Sequence, residues 1–293
     1  MSSILNIVLA GLFNAATLFL VTAGLQLIFG VQRILNLAGG SIFAIGAYTG
    51  VMLTTWALSQ GLPPYLFPIV LICVGVITGF IGIPMERLIR PVYRKPEAFQ
   101  LLVTFSLVLM LQDAMWYLWG AEPQQLPNLS MTFGKTTLFG ATFPTYNIMI
   151  IIIAALIALW LGYFIEGTRA GKILRATAEN PEISSAMSID VKRVYQWVFT
   201  LGTMIGTIGG ALVIPTTAAT LPMGVELVVE AFAVIVIGGL GSIKGAVVGA
   251  VLIGLTKACA VIAYPEADVL AIYAIVIAVL VFKPSGLFGR LGL

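Results

Sequence analysis

Four ionisable side chains fall within long apolar runs of this sequence: Asp113, Glu226, Glu230 and Lys257. Charged groups are costly in hydrocarbon and persist there only where they face a bundle interior, water or a protein interface. Glu226 and Glu230 are four residues apart and share one helix face. Three roles fit them: polar anchoring at helix ends, a proton or cation relay, or contact with a moving solute or a partner chain. An ion-driven carrier working alone calls for a fuller set of intramembrane carboxylates. The sequence has no histidine, which removes histidine-dependent catalysis and histidine metal ligation. Cys73 and Cys259 lie in separate apolar runs, lack metal-type spacing, and read as buried, inert thiols. No metal site is expected.

Two glycine-rich segments imitate nucleotide loops. "GTRAGK" at 167–172 has three residues where a phosphate-binding loop needs four before Gly-Lys, and Ile173 follows in place of Ser or Thr. "GGLGSIKG" at 238–245 brings its last glycine one residue late for a dinucleotide fingerprint and lies among apolar runs. With no nucleotide site, nucleophile elbow or metal cluster, the chain carries no cofactor. Energy for uphill movement must enter through a partner or an ion gradient. "NLAGGS", Asn36 to Ser41, and "GGLGSIKG" each look like a helix opening inside the membrane, where freed backbone groups are tolerated only in protein or along a cavity. The "GSI" shared by 40–42 and 241–243 hints at an internal repeat.

The elements that position these groups follow from composition. Of 293 residues 60% are hydrophobic and 9% charged, with mean hydropathy +1.07. Soluble domains carry about 25% charged residues, so this chain is a multi-spanning membrane protein. The net charge of +3 and pI near 8.9 reflect basic loops at lipid headgroups and do not imply nucleic acid. The opening apolar run has no basic leader, and 1–29 reads as a retained span. About 20 apolar residues cross the roughly 30 Å of hydrocarbon. That ruler places spans near 4–29, 34–57, 65–86, 98–119, 146–166, 195–214, 226–241, 245–263 and 269–282. The fold class is therefore an all-α, polytopic bundle of eight to ten spanning or re-entrant helices, one domain over 1–293. Small residues four apart (Gly46/Gly50, Gly75/Gly79, Gly202/Gly206, Gly206/Gly210, Gly245/Gly249) suit close helix packing in lipid.

Basic residues set the orientation. Arg87, Arg90, Arg94 and Lys95, then Arg169, Lys172, Arg175, Lys192 and Arg193, then Lys283 and Arg290 mark the cytoplasmic side. The 120–145 loop, with Lys135 as its one basic residue and Pro123, Pro127 and Pro144, lies outside, as does Met1; Leu293 lies inside. The 167–193 segment interrupts two apolar runs with a polar insert. Thr168 suits a helix cap, Asn180-Pro181 stops that helix, a short second helix follows, and Ser188 or Asp190 caps the next span. Ile173 with Leu174, and Ile183 with Ala186 and Met187, form small apolar patches on this insert. Such a module docks on a cytoplasmic partner or rests as a solvated loop.

Five segments, in order, resemble one family: "LIFGVQRILNLAGGSIFAIGAY" (27–48), "ERLIRPVYRKPE" (86–97), "TRAGKILRATAENPEISSAMSIDVKRV" (168–194), "PMGVELVVEAFAVIVIGGLGSIKGAVVGAVLIG" (222–254) and "FKPSGLFG" (282–289). The chain resembles the LivH-type permease subunits of ATP-binding-cassette importers for branched-chain amino acids. The resemblance implies a bacterial-type inner-membrane permease without ATPase or enzymatic activity, working by alternating access. It implies as partners a second permease, two cytoplasmic ATPases that bind ATP and Mg, and an extracytoplasmic solute-binding protein. It assigns ATPase coupling to Thr168, Arg169, Gly171, Lys172, Arg175, Ala176, Asn180 and Pro181. Gly238, Gly239, Gly241, Ser242 and Gly245 match its glycine signature, and Asn36 and Ala38 its re-entrant motif. With the polar groups above, the pathway candidates are Asn36, Gly39, Gly40, Ser41, Glu226, Glu230, Gly239, Gly241 and Ser242. Many members have histidine at Gly39 and lysine at Glu230, positions that bear on solute choice.

Overall fold

The computed structural model describes residues 2–93, 95–126, 129–138, 141–263 and 268–288. Arg94, Pro127, Arg290 and the terminal residues Met1 and Leu293, used above for orientation, lie outside them. The chain runs through α1 (Ser2–Gln32), α2 (Gly39–Ser59), α3 (Phe67–Gly79), α4 (Gly82–Ile89), α5 (Glu97–Trp119) and α6 (Thr145–Gly167). Two short helices, α7 (Arg169–Glu179) and α8 (Pro181–Ala186), precede α9 (Val191–Val213), α10 (Met223–Gly238), α11 (Ile243–Ala263) and α12 (Asp268–Phe282). Among the described residues, seven segments are long and apolar enough to cross a membrane: α1, α2, the broken 64–92 run containing α3 and α4, α5, α6, α9 and α11. The polytopic helical fold expected from composition is present. At 1.5 Å per residue the 16 residues of α10 reach only about 24 Å, short of the hydrocarbon thickness.

Three features depart from the sequence reading. The second helix starts at Gly39 because 33–38 is irregular, with Arg33 at φ 54 closing α1. The 120–145 loop carries a small hairpin, β1 (Lys135–Leu138) against β2 (Ala141–Pro144), with Lys135 opposite Pro144 and Thr137 opposite Thr142. Cys73 and Cys259 are exposed rather than buried. A lipid-facing surface is as apolar as a core, so an apolar run does not reveal which face a thiol takes.

The bundle is organised around α9, which packs on α1, α2, α3 and α4. Of its most apolar stretch 72% is buried, against 17% for α6, which marks α9 as the centre and α6 as periphery. Helices gain little from touching in lipid unless backbones come close or polar groups pair. Both occur here. Gly24 meets Gly202, Gly46 meets Thr207, Gly75 meets Ile208, and Gly210 meets the Phe43 backbone, each too close for a side chain at the glycine. Because α3 has no side chain at Gly75 and Gly79, their carbonyls are open to α9. Thr207 Oγ1 donates to Gly75 at 2.6 Å and Thr203 Oγ1 to Gly79 at 2.8 Å.

The same geometry separates α9 glycines that look alike in sequence. A Cβ at Gly210 would strike the Phe43 carbonyl, whereas at Gly206 the nearest group is Ile42 Cγ2 at 3.6 Å. Gly210→Ala should cost about 1–3 kcal/mol by overpacking and lower the melting temperature in detergent. Gly206→Ala should leave it nearly unchanged. Equal melting temperatures for the two variants would contradict this packing.

Candidate coupling surface and solute pathway

The polar insert between α6 and α9 is held by three caps. Thr168 Oγ1 donates to the Phe164 carbonyl at 2.6 Å and accepts from the Gly171 amide at 3.0 Å, closing α6 and opening α7 together. Asn180, extended at φ −148, ends α7, and its Oδ1 accepts from Glu182 N at 3.1 Å and Ile183 N at 2.9 Å to start α8. Asp190 accepts from Arg193 N at 3.2 Å and caps α9; Ser188 instead makes the turn at φ 64. Pro181 occupies the first position of α8, where its missing amide costs nothing.

Amphipathic folding then sorts the side chains. Gly171, Leu174 and Thr177 are buried against the bundle. Gly171 presses on the Phe164 and Ile165 carbonyls, so no larger residue fits. Arg169, Lys172, Ile173, Arg175 and Ala176 of α7 face outward, as do Ile183 and Met187 after Asn180. The patch of Ile173 with Leu174 is thereby split: Ile173 is exposed and Leu174 belongs to the core. Glu166, at the end of α6, pairs with Lys244 at 2.8 Å and ties the insert to the start of α11.

At this same end lies a charged cluster that spacing alone did not single out. Glu86 on α4 is fully buried and receives Arg90 in two bonds, Nε to Oε1 at 3.0 Å and Nη2 to Oε2 at 2.6 Å. Tyr93 donates to Oε1 at 2.9 Å and meets Tyr195 of α9 edge-on at 5.5 Å. Burial, reinforced by the Glu86 charge, pushes the Tyr93 hydroxyl pKa far up, so it remains a donor. Gln32 Nε2 donates to the Tyr195 carbonyl at 2.7 Å, joining α1 to the cluster. The signal in the sequence was the four-residue spacing of Glu86 and Arg90.

The pathway candidates fall into separate places. Asn36, Gly39, Gly40 and Ser41 are buried where α2 opens, with Gly40 against Gly224 and Val228 of α10 and Gly39 against the Leu25 side chain. That contact leaves no room for a histidine at this position without moving Leu25. Asn36 Oδ1 accepts from Ala38 N at 3.1 Å. Glu226 is exposed, and Glu230 is neutralised by Lys257 of α11 at 2.6 Å. Gly239 and Gly241 adopt φ 98 and φ 78 in the turn between α10 and α11, and Ser242 Oγ accepts from Gly245 N at 3.1 Å.

This turn does not open a helix inside the bundle, as expected above. It is partly exposed, and Lys244 just after it pairs with Glu166 at the end of α6. The element that does meet α2 in the interior is the start of α10, after the irregular 214–222 stretch. Ala219 in that stretch is pinned to Gln124 of the 120–145 loop by two backbone bonds, 3.0 and 2.7 Å. Gln26 holds the glycine turn, giving Nε2 to the Gly239 carbonyl at 3.1 Å and accepting Gly241 N at 2.6 Å. Its signal was a lone amide in the run "GLQLIFG".

A family model for the permease component of the branched-chain amino acid transport system matches residues 7–280. The permease protein BraD of a high-affinity branched-chain amino acid transport system from Pseudomonas aeruginosa is 26% identical over 96% of this chain and 94% of its own. The corresponding LivH protein of Escherichia coli K12 is 28% identical over 95% and 94%. A probable branched-chain amino acid permease LivH from Methanocaldococcus jannaschii is 30% identical over 82% and 76%. The chain belongs to this permease family.

Two variants test the local physics. Asn180→Ala leaves two α8 amides uncapped, a loss of about 1 kcal/mol; limited proteolysis should cut between α7 and α8 sooner than in Asn180→Asp. Arg90→Met strands the buried Glu86, costing about 3–5 kcal/mol, whereas Glu86→Gln leaves the partly exposed Arg90 free to reach water. Arg90→Met should therefore lower the melting temperature in detergent more than Glu86→Gln; the reverse order would overturn this reading.

Proposed function

We propose that this member of the permease family is one of two membrane subunits of an ATP-driven importer, moved by ATPases that dock on α7 and α8. The observation that carries the reading is the outward face of that insert, where Ile173, Ala176, Ile183 and Met187 are exposed among Arg169, Lys172 and Arg175. An exposed apolar patch ringed by basic side chains suits a protein partner with an acidic-rimmed cleft. A push on α7 reaches the bundle through short, stiff links. Thr168 joins α7 to α6, Gly171 leaves no slack beneath it, and the Glu166–Lys244 pair reaches α11.

In this reading the basic end faces the cytoplasm and the 120–145 loop meets an extracytoplasmic binding protein. ATP and Mg belong to the two ATPases, and this chain forms and breaks no covalent bond. The names of the relatives favour branched-chain or other hydrophobic amino acids as solutes, within a wider range of small polar molecules. The alternative of an ion-coupled carrier is weakened by Glu230, which Lys257 already neutralises.

Arg175→Glu reverses a charge at the centre of the docking face and removes no salt bridge or hydrogen bond, since Arg175 is exposed and acts on Glu166 only through its field. In vesicles holding the complete importer, it should cut ATP-driven uptake at least about tenfold, which a docking loss of 1.4 kcal/mol already produces, with the amount of inserted protein unchanged. Unaltered uptake would remove the docking assignment. Uptake that needs no ATPase and collapses with the ion gradient would establish the alternative.

A further inference from the structure

Asp113 poses a problem that the chain does not solve for itself. It lies on α5 and is exposed, and no described residue pairs with it. Trp116 and Tyr117, both exposed, follow it toward the end of the helix, and tryptophan and tyrosine mark the membrane interface. Asp113 therefore sits on the hydrocarbon side of the aromatic belt. Its side chain is too short to snorkel past that belt as lysine or arginine does. A charge so placed costs about 2.5–3.5 kcal/mol on insertion scales if lipid covers it.

The face around Asp113 is continuous. Ser106, Met110, Asp113 and Tyr117 follow helical spacing and all four are exposed. The opposite face, with Gln100, Thr104, Leu107, Val108 and Met115, is buried. The outward face of α6 offers a contrast: its Ile152, Leu156, Leu159 and Trp160 carry no charge and suit lipid. The cavities found among the described residues are small. The two best-formed, beside Asn36 and beside Gly202, are each about 10 Å³, enough for a single water. Neither holds an amino-acid-sized solute, whereas an outer face shared with a second chain has room for one.

We propose that the Ser106–Asp113–Tyr117 face of α5 lines a water-filled solute path closed on its far side by a second permease chain, with Asp113 making that path cation-attracting. The proposal rests on the reading of the chain as one of a permease pair. In this proposal the buried Asn36–Ser41 segment and the partly exposed Gly239–Ser242 turn shape the bundle without touching the solute. A single carboxylate in a narrow path with low-dielectric walls concentrates cations and ammonium groups. Ser106 lies two turns away, about 10 Å along the helix, within reach of that field.

The test uses the complete importer with Cys73 and Cys259 replaced by serine, since both are exposed. Single cysteines are placed at Ser106 and Asp113, with Leu159→Cys on α6 as the lipid-facing control. Membrane-impermeant methanethiosulfonates should label Ser106→Cys and Asp113→Cys at least about tenfold faster than Leu159→Cys. At Ser106→Cys the cationic reagent should react several-fold faster than the anionic one, and adding Asp113→Asn should abolish that preference. Labelling of both α5 positions only by lipid-soluble maleimide would overturn the path. Equal rates for the two reagents, unmoved by Asp113→Asn, would overturn the role of Asp113. These rates do not depend on transport. Loss of ATP-driven uptake with the labelling pattern intact would count against the importer reading alone.

Discussion

Everything in this structure depends on how closely α9 can approach its neighbours. In water a helix bundle is driven together by the burial of apolar surface. In lipid that drive vanishes, because leaving a neighbour exposes a helix to a solvent as apolar as the neighbour was. What remains is dispersion at short range and the pairing of polar groups. The glycines on α1, α2, α3 and α9 permit the first, and the Thr203 and Thr207 hydroxyls supply the second through the carbonyls of Gly79 and Gly75. The two are one device, since a side chain on either α3 glycine would close the gap that the hydroxyl crosses.

With α9 fixed, the remaining polar groups sort by whether the chain itself neutralises them. Glu86 with Arg90 on the next turn, and Glu230 of α10 with Lys257 of α11, find partners within the fold, and the second pair joins two elements. Among the described residues Asp113 has no such ion-pair partner, and Arg175, which feels Glu166 only at a distance, forms no salt bridge; both look outward, from different faces. A chain that closes some charges and leaves others open divides its polar residues between architecture and contact.

Sequence reading recovered what depends on local or one-dimensional patterns. Span positions follow from length and apolarity. The cap at Thr168, the helix stop at Asn180-Pro181 and the cap at Asp190, one of two candidates, follow from chemistry next to helix ends and are observed. That Asn180 also caps α8 was not read from the sequence. What depends on direction was not legible. Cys73 and Cys259 lie in apolar runs yet face outward, and adjacent Ile173 and Leu174 part company because α7 turns one toward the bundle. The interior helix start in the second half was placed at "GGLGSIKG". Glycine content is the same whether a turn lies at depth or at the surface, and only the contact of Gly40 with Gly224 shows which break is deep. Gln26 escaped because its two partners lie more than 200 residues away.

That separation has a consequence for synthesis. Gln26 sits in α1, and both ends of its amide are satisfied by Gly239 and Gly241, 213 and 215 residues further on. At about 5–20 residues per second, the ribosome needs roughly ten to forty seconds to reach them. Through that interval the first helix carries a polar group whose native partners have not yet been made. It must be held beside water, the insertion machinery or another helix until the α10–α11 turn arrives. The residue that locks the two halves of the finished bundle also makes the nascent one wait.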